Sequence, residues 1–292
     1  MSVRTYAYYP GCVLHTSAKE YDVSARLVCE RLGIRLQELE GWTCCGASSV
    51  HSADHLLGIA LPARELQAAE ETGLPLAVAC AMCFSRLKQA AHELEDKARL
   101  GLVNDLMGKK SRNATEVVHL LKILYEAKDR LSPKRPLKGL KVASYYGCLL
   151  VRPRDIQNFD DTENPQIMDG LMETLGAESL EWDFKTACCG ASLPLTRHDV
   201  VLKLSHRILS QAKQLGADCM AVVCPMCQSN LDTYQKEMGA EFREKLGLPV
   251  LYVTQLVGLA LGFSPGQLLL KKHFTDPLPL SLIHISEPTR PY

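Results

Sequence analysis

Cys12, Cys44, Cys45, Cys80 and Cys83 are answered later in the chain by Cys148, Cys188, Cys189, Cys224 and Cys227. Each set contains a lone cysteine, an adjacent pair and a CxxC. Five thiolates exceed the four that one tetrahedral zinc takes and the four that hold a standard cubane. Successive side chains diverge, so an adjacent pair suits several irons, or a bridging thiolate, better than one ion. The count predicts an iron–sulfur cluster of unusual shape in each set. A lone CxxC is shared with zinc ribbons and thioredoxin-like sites. Zinc at two four-cysteine sites, with one idle thiol each, is the competing reading.

The two sets are copies of one unit. The adjacent pairs (44 and 188, 45 and 189) and the CxxC pairs (80 and 224, 83 and 227) are each 144 residues apart, whereas the leading cysteines, 12 and 148, are 136 apart. The second copy thus carries eight extra residues, assigned to the polar, loop-like stretch Arg152–Asp169. Neighbouring residues repeat as well. Cys44-Cys45-Gly46-Ala47-Ser48 recurs as Cys188-Cys189-Gly190-Ala191-Ser192, and Tyr8-Tyr9-Pro10-Gly11-Cys12 is echoed by Tyr145-Tyr146-Gly147-Cys148. Cys29 and Cys219 fall outside the pattern and read as small buried hydrophobes.

Composition sets the context. The 292 residues carry 33 Lys+Arg and 33 Asp+Glu, a formal net charge of zero, which argues against nucleic-acid binding. No run reaches the roughly 18 apolar residues of a membrane span, and the N-terminus lacks a signal-peptide pattern. A cytoplasmic protein is expected, where thiols stay reduced and bind metal rather than pair as disulfides. Residues 280–292, including His284, resemble translated sequencing adapter and are set aside as a non-native tail.

Strands are expected at Thr5–Tyr9, Leu76–Ala79, Lys141–Tyr146 and Cys219–Val223. Helices are expected at Lys19–Leu32, Ser52–Thr72 with a break near Pro62, Cys83–Leu94, Val200–Leu215 and Cys227–Lys236. Thr115 and Thr254 are expected to cap helices Glu116–Ala127 and Gln255–Leu261. Alternating strands and helices give an α/β fold with a small, mostly parallel sheet in each half. The expected domains are residues 1–130 and 139–270, related by a pseudo-twofold, with a charged linker at Lys128–Lys138. In open parallel sheets ligands gather beyond the C-terminal strand ends. The leading cysteine and the CxxC both follow strands, so each set can converge at one sheet edge. Helix N-termini there would stabilise thiolates. Gly46 and Gly190 are expected to allow close backbone approach to the metal.

The pattern C-x31-CC-x34-CxxC followed by C-x39-CC-x34-CxxC resembles the cysteine-rich CCG domain in tandem, as in the CCG-bearing subunit of heterodisulfide reductase. Gly147-Cys148-Leu149-Leu150-Val151-Arg152-Pro153, Phe159-Asp160-Asp161-Thr162-Glu163-Asn164-Pro165 and Cys224-Pro225-Met226-Cys227-Gln228-Ser229-Asn230-Leu231-Asp232 strengthen the likeness, which covers about residues 3–262. The resemblance implies two noncubane [4Fe-4S] clusters, one held by Cys12, Cys44, Cys45, Cys80 and Cys83, the other by Cys148, Cys188, Cys189, Cys224 and Cys227. It implies an oxidoreductase component that reduces a disulfide of the coenzyme M–coenzyme B type to two thiols. Each cluster would deliver one electron and take one sulfur, acting as a Lewis acid toward the departing thiolate. His15 and Arg152 are the candidate substrate residues, with Arg154 beside the latter.

The chain has no C-x2-C-x2-C-x3-C-P run for a cubane relay and no G-x-G-x-x-G nucleotide fingerprint. It is therefore expected to draw electrons from a partner protein carrying cubane [4Fe-4S] clusters, with a flavoprotein behind that partner, as the heterodisulfide reductase family arranges them. Two alternatives are an electron-transfer component of a respiratory or sulfur-oxidising complex, succinate–quinone oxidation included, and a zinc-stabilised assembly module.

Overall fold

The computed structural model describes residues 4–47 and 49–283. The first half runs β1 (Arg4–Tyr9), α1 (Gly11–His15), α2 (Lys19–Arg31), β2 (Ile34–Glu38), α3 (Val50–Ala53), α4 (His55–Thr72), β3 (Leu76–Val78), α5 (Ala81–Glu93), α6 (Lys97–Met107), β4 (Val117–His119) and α7 (Leu120–Glu126). The second runs β5 (Lys141–Tyr145), α8 (Arg154–Gln157), α9 (Ile167–Thr174), β6 (Glu178–Ser179), α10 (His198–Gln214), β7 (Cys219–Val222), α11 (Pro225–Asp232), α12 (Gln235–Phe242), β8 (Val250–Tyr252) and α13 (Val253–Ala260). A further helix, α14 (Leu278–Ile283), follows. It covers the start of the expected tail, and His284 lies outside the described residues.

Each half forms one four-stranded, all-parallel sheet, ordered β2-β1-β3-β4 and β6-β5-β7-β8. β3 and β7 are fully buried, as apolar central strands covered on both faces must be. Both strand orders reverse direction between the first and third strands, which is where doubly wound sheets place ligands.

The halves are related by a pseudo-twofold, visible in reciprocal packing. Helix α2 of the first half packs on α13 of the second, and their counterparts α9 and α7 pack together in the same way. At the first contact Tyr21 stacks on Tyr252, with ring centroids 4.1 Å apart and planes 9° apart. Beside them the Ser24 and Thr254 hydroxyls meet at 2.6 Å. At the second, Gly170 lies so close to Tyr125 that a Cβ would stand 3.1 Å from its ring. The Tyr21 hydroxyl donates to the Ala79 carbonyl at 2.8 Å and stands 3.4 Å from that of Val223. These carbonyls belong to the residues just before Cys80 and Cys224, so Tyr21 ties the two metal-side strand ends together.

Local expectations are corrected in three places. The helix after the first adjacent pair does not break at Pro62. It breaks at Asp54, whose side chain accepts from the Leu57 amide at 2.8 Å and starts α4, and Pro62 lies inside that helix. Thr115 and Thr254 cap nothing. Short strands β4 and β8 precede the helices, with His119 and Tyr252 as the N-caps, and the Thr254 hydroxyl bonds across the interface instead. The eight-residue excess is not simply loop. It includes α8, which docks on α5 through a Gln157–Ser85 hydrogen bond of 3.0 Å, so the insertion buttresses the opposite half.

Tyr21→Ala should cost about 3–5 kcal/mol, as removal of a large buried aromatic usually does. Tyr21→Phe, which keeps the stacking, should cost only about 1 kcal/mol. Urea unfolding of the two variants measures both, and equal losses would show that the ring contributes nothing to the interface.

Candidate metal centres

The turns that follow the strands position the sulfurs. Cys12 sits in α1 directly after β1, and Cys148 lies three residues past the end of β5. Cys80 and Cys224 are the N-caps of α5 and α11, so each CxxC spans a first helical turn and lies in its positive field. Pro225 occupies the first position of α11, where its missing N–H costs nothing.

Within each half the cysteines of the set gather at one end of the sheet, and a sulfur–sulfur contact marks each. Cys12 and Cys44 lie 4.0 Å apart, and Cys189 and Cys227 lie 3.6 Å apart. The neighbouring Cys44 thiol, and then that of Cys83, favour the Cys45 thiolate, so its pKa falls well below the thiol range. Cys148 does the same for Cys188. The two sets approach each other at the pseudo-twofold axis, where Tyr21 bridges the carbonyls that precede Cys80 and Cys224, and the neighbouring thiols push the Cys224 pKa down and the Cys80 pKa up. Cys12, Cys44 and Cys188 are exposed, whereas Cys45, Cys80, Cys83, Cys189, Cys224 and Cys227 are buried. A small cavity beside the second set is walled by Leu149, Ala191 and Met226, and by Ala81 and Met82 of the first half.

The backbone is shaped to admit these sulfurs. Gly11 and Gly147 have φ of +72° and +69°, and a Cβ there would stand 3.2 Å from Cys83 Sγ and 3.1 Å from Cys227 Sγ. These glycines, rather than Gly46 and Gly190, permit the approach to sulfur. A Cβ on Gly46 would meet Val50 and Leu61, and one on Gly190 would meet Val201. Their role is packing of the adjacent-pair turn on the next helix. The Tyr9 hydroxyl donates to the Thr43 carbonyl at 2.7 Å, and Tyr145 donates to Ala187 at 2.6 Å. Each tyrosine thereby pins the residue before an adjacent pair. This signal was available in the sequence, because both tyrosines stand three residues before the leading cysteine.

The donor set fits a polynuclear iron–sulfur group. It is all thiol and free of disulfides, and it is spread as a string of contacts rather than around one point. Among the described residues no three His, Cys, Asp or Glu side chains are set to hold a single metal ion. Cys29 and Cys219 lie in the core away from the strings, and burial pushes the Cys29 thiol up to about 12.

The candidate substrate residues are engaged elsewhere. His15 Nε2 pairs with Glu38 at 3.1 Å and its ring meets Trp42 edge-on. Arg152 makes bonds of 2.7 and 2.8 Å to the Glu163 carboxylate and one of 3.1 Å to Thr186. Behind the second adjacent pair lies a network that sequence reasoning missed. Fully buried Lys185 pairs with Asp169 at 3.0 Å, and Asp169 also accepts from Tyr146 at 2.5 Å and Ser179 at 2.8 Å. The Lys185 carbonyl accepts from the Tyr146 and Gly147 amides, locking the turns that bear Cys148 and Cys188 to each other.

Two parallel sheets, each with five thiols at its switch point, define a tandem cysteine-rich α/β protein built for iron–sulfur electron transfer. The chain belongs to the CCG family, the cysteine-rich domain, which matches residues 6–88 and 142–232. It is 34% identical over 278 residues to the 8-methylmenaquinol:fumarate reductase membrane anchor subunit of Wolinella succinogenes, covering 94% of this chain and 98% of that one. It is 32% identical over 272 residues to the B-type subunit of the ferredoxin:CoB-CoM heterodisulfide reductase of Methanosarcina mazei, covering 88% and 89%. A hypothetical protein of Helicobacter pylori shares the fold, with a TM-score of 0.78 at 15% identity; the match covers 94% of this chain and about half, 53%, of that one. Both of these curated relatives are named as subunits of reductase complexes. No helix among the described residues is long and apolar enough to cross a membrane.

Gly147→Ala should strain the turn by about 1–2 kcal/mol and press on Cys227, so the purified protein should carry roughly half the wild-type iron. Lys185→Met should strand the buried Asp169 charge and cost about 3–5 kcal/mol. Iron analysis and thermal unfolding check the two. Full iron in Gly147→Ala would show that the turn has room to spare.

Proposed function

We propose that the chain holds two noncubane [4Fe-4S] clusters, on Cys12, Cys44, Cys45, Cys80 and Cys83 and on Cys148, Cys188, Cys189, Cys224 and Cys227. Through them it passes electrons in pairs, as the iron–sulfur component of a quinol-linked respiratory oxidoreductase. The observation that supports this reading is the bridging of the Ala79 and Val223 carbonyls by the Tyr21 hydroxyl, which brings the strand ends that carry Cys80 and Cys224, and so the two sulfur sets, to one junction. When bound, each cluster supplies or takes one electron. Oxidation of a quinol releases two electrons and two protons, which matches two one-electron sites. The likeness to the Wolinella protein extends over nearly the whole of both chains. The ion pairs of Arg152 and His15 leave both side chains poorly placed to receive an anionic group. Electrons would continue through a partner protein with cubane [4Fe-4S] clusters, and through a flavoprotein beyond it.

Reduction of a coenzyme M–coenzyme B type disulfide is the second reading, favoured by the 32% identity to the heterodisulfide reductase component. In that case each set would receive one of the two sulfurs.

The complex, isolated without oxygen, should show two iron–sulfur electron paramagnetic resonance signals. Cys45→Ala should remove one and Cys189→Ala the other. A soluble menaquinol analogue should reduce both within the turnover time of the complex. If the coenzyme M–coenzyme B disulfide reoxidises the clusters and the quinol leaves them untouched, the second reading replaces the first. Abundant zinc with little iron would exclude both.

A further inference from the structure

The two sulfur sets are matched, yet their charged surroundings are not. Arg86 and Asn230 occupy the same place in the repeat, three residues after the last cysteine of each CxxC. At that spacing a helical side chain shares the face of the cysteine, so both residues face the metal side. Asn230 is fully buried and neutral. Its amide donates to the carbonyls of Cys189 at 3.2 Å and Ala191 at 2.9 Å, and it lies 3.6 Å from Cys189 Sγ. Arg86 instead brings a guanidinium to that face, within electrostatic reach of Cys45, the counterpart of Cys189. Its Nε is buried without a hydrogen-bond partner, and its Nη2 meets only His51, at 3.5 Å.

Other ionisable groups near the sets are already engaged. The buried cation behind the second set, Lys185, is neutralised by Asp169 at 3.0 Å. On the first side Glu65 accepts from the Thr43 amide and hydroxyl. Burial pushes its carboxyl toward the neutral form. A partly buried guanidinium without an ion-pair partner among the described residues therefore stands on the side of one set of thiols, where the other set has a neutral amide.

We propose that Arg86 makes the N-terminal centre the stronger electron acceptor, so that the first electron entering the protein resides on the Cys12–Cys83 set. This rests on the reading that each half holds a cluster. Adding an electron adds negative charge, and a nearby fixed cation stabilises the reduced form, more so where water is excluded. Arg86 acts on the potential through the field of its guanidinium, as a tuning residue and not as a ligand. The chain is then a directional pair in which the symmetric frame carries an ordered transfer, with the N-terminal centre filled before the C-terminal one.

The test is a redox titration of the purified holoprotein, followed by electron paramagnetic resonance. Cys189→Ala and Cys12→Ala assign the two signals without altering Arg86 or the sulfur it faces. In the otherwise unaltered protein the N-terminal signal should develop at the higher potential. Arg86→Gln should weaken reduction of the N-terminal centre by roughly tenfold, about 59 mV for one electron, while the C-terminal midpoint stays in place. Arg86→Lys should restore most of the shift. Glu65→Gln, as a control, should not lower the N-terminal midpoint. The inference fails if the C-terminal centre is the first reduced, or if Arg86→Gln moves both midpoints equally or neither. Should Arg86→Gln fail to load its cluster, the order of the two midpoints still decides. Absence of any iron–sulfur signal from the holoprotein would instead overturn the cluster reading itself.

Discussion

The molecule depends on the meeting of two sheet switch points across a pseudo-twofold axis. A parallel sheet of order 2-1-3-4 opens a crevice beyond the ends of its first and third strands. Here those ends carry the leading cysteine and the CxxC. A second copy, turned about the axis, presents the same crevice, and the strand ends that carry Cys80 and Cys224 are brought together. Everything nearby serves that junction. Tyr21 links the two carbonyls that precede these cysteines, and the α2–α13 and α7–α9 contacts hold the halves in register.

Glycine and tyrosine do the local shaping. Gly11 and Gly147 leave room where a methyl group would press on a sulfur. Tyr9 and Tyr145 hold the residue before each adjacent pair. These devices occur at equivalent places in both halves, which marks them as part of the repeated unit. Elsewhere the halves have diverged. Thr43 is held by buried Glu65, whereas the second half relies on the Lys185–Asp169–Tyr146 network. Helix α8, from the inserted residues, braces the first half. Arg86 and Asn230 differ in charge at matched places.

This combination explains how a duplicated fold can serve a directional task. The sheets need symmetry only where they meet, because interface packing is reciprocal. The surroundings of each sulfur set are free to differ, since a change of charge three residues beyond a CxxC does not disturb the strands. Relatives assigned to quinol-linked and to disulfide-linked complexes share the same frame. Their chemistry must then differ in what borders the sulfurs and in which partner proteins dock.

Linear order alone reveals the duplication, the α/β class and the ten matched cysteines, because ligand spacing and strand-ending motifs are local features. It also locates the eight-residue excess, though not the helix within it. It misplaces the helix starts near Pro62, Thr115 and Thr254, where caps and three-residue strands depend on neighbours distant in the chain. It offers His15 and Arg152 as substrate residues, and their ion pairs with Glu38 and Glu163 are invisible until the chain is folded. Folding is what brings Cys80 to Cys224, turns Gly11 and Gly147 rather than Gly46 and Gly190 toward sulfur, and sets a buried lysine behind Cys188. Each is a contact between segments far apart in sequence, fixed by sheet order and by the packing of one half on the other.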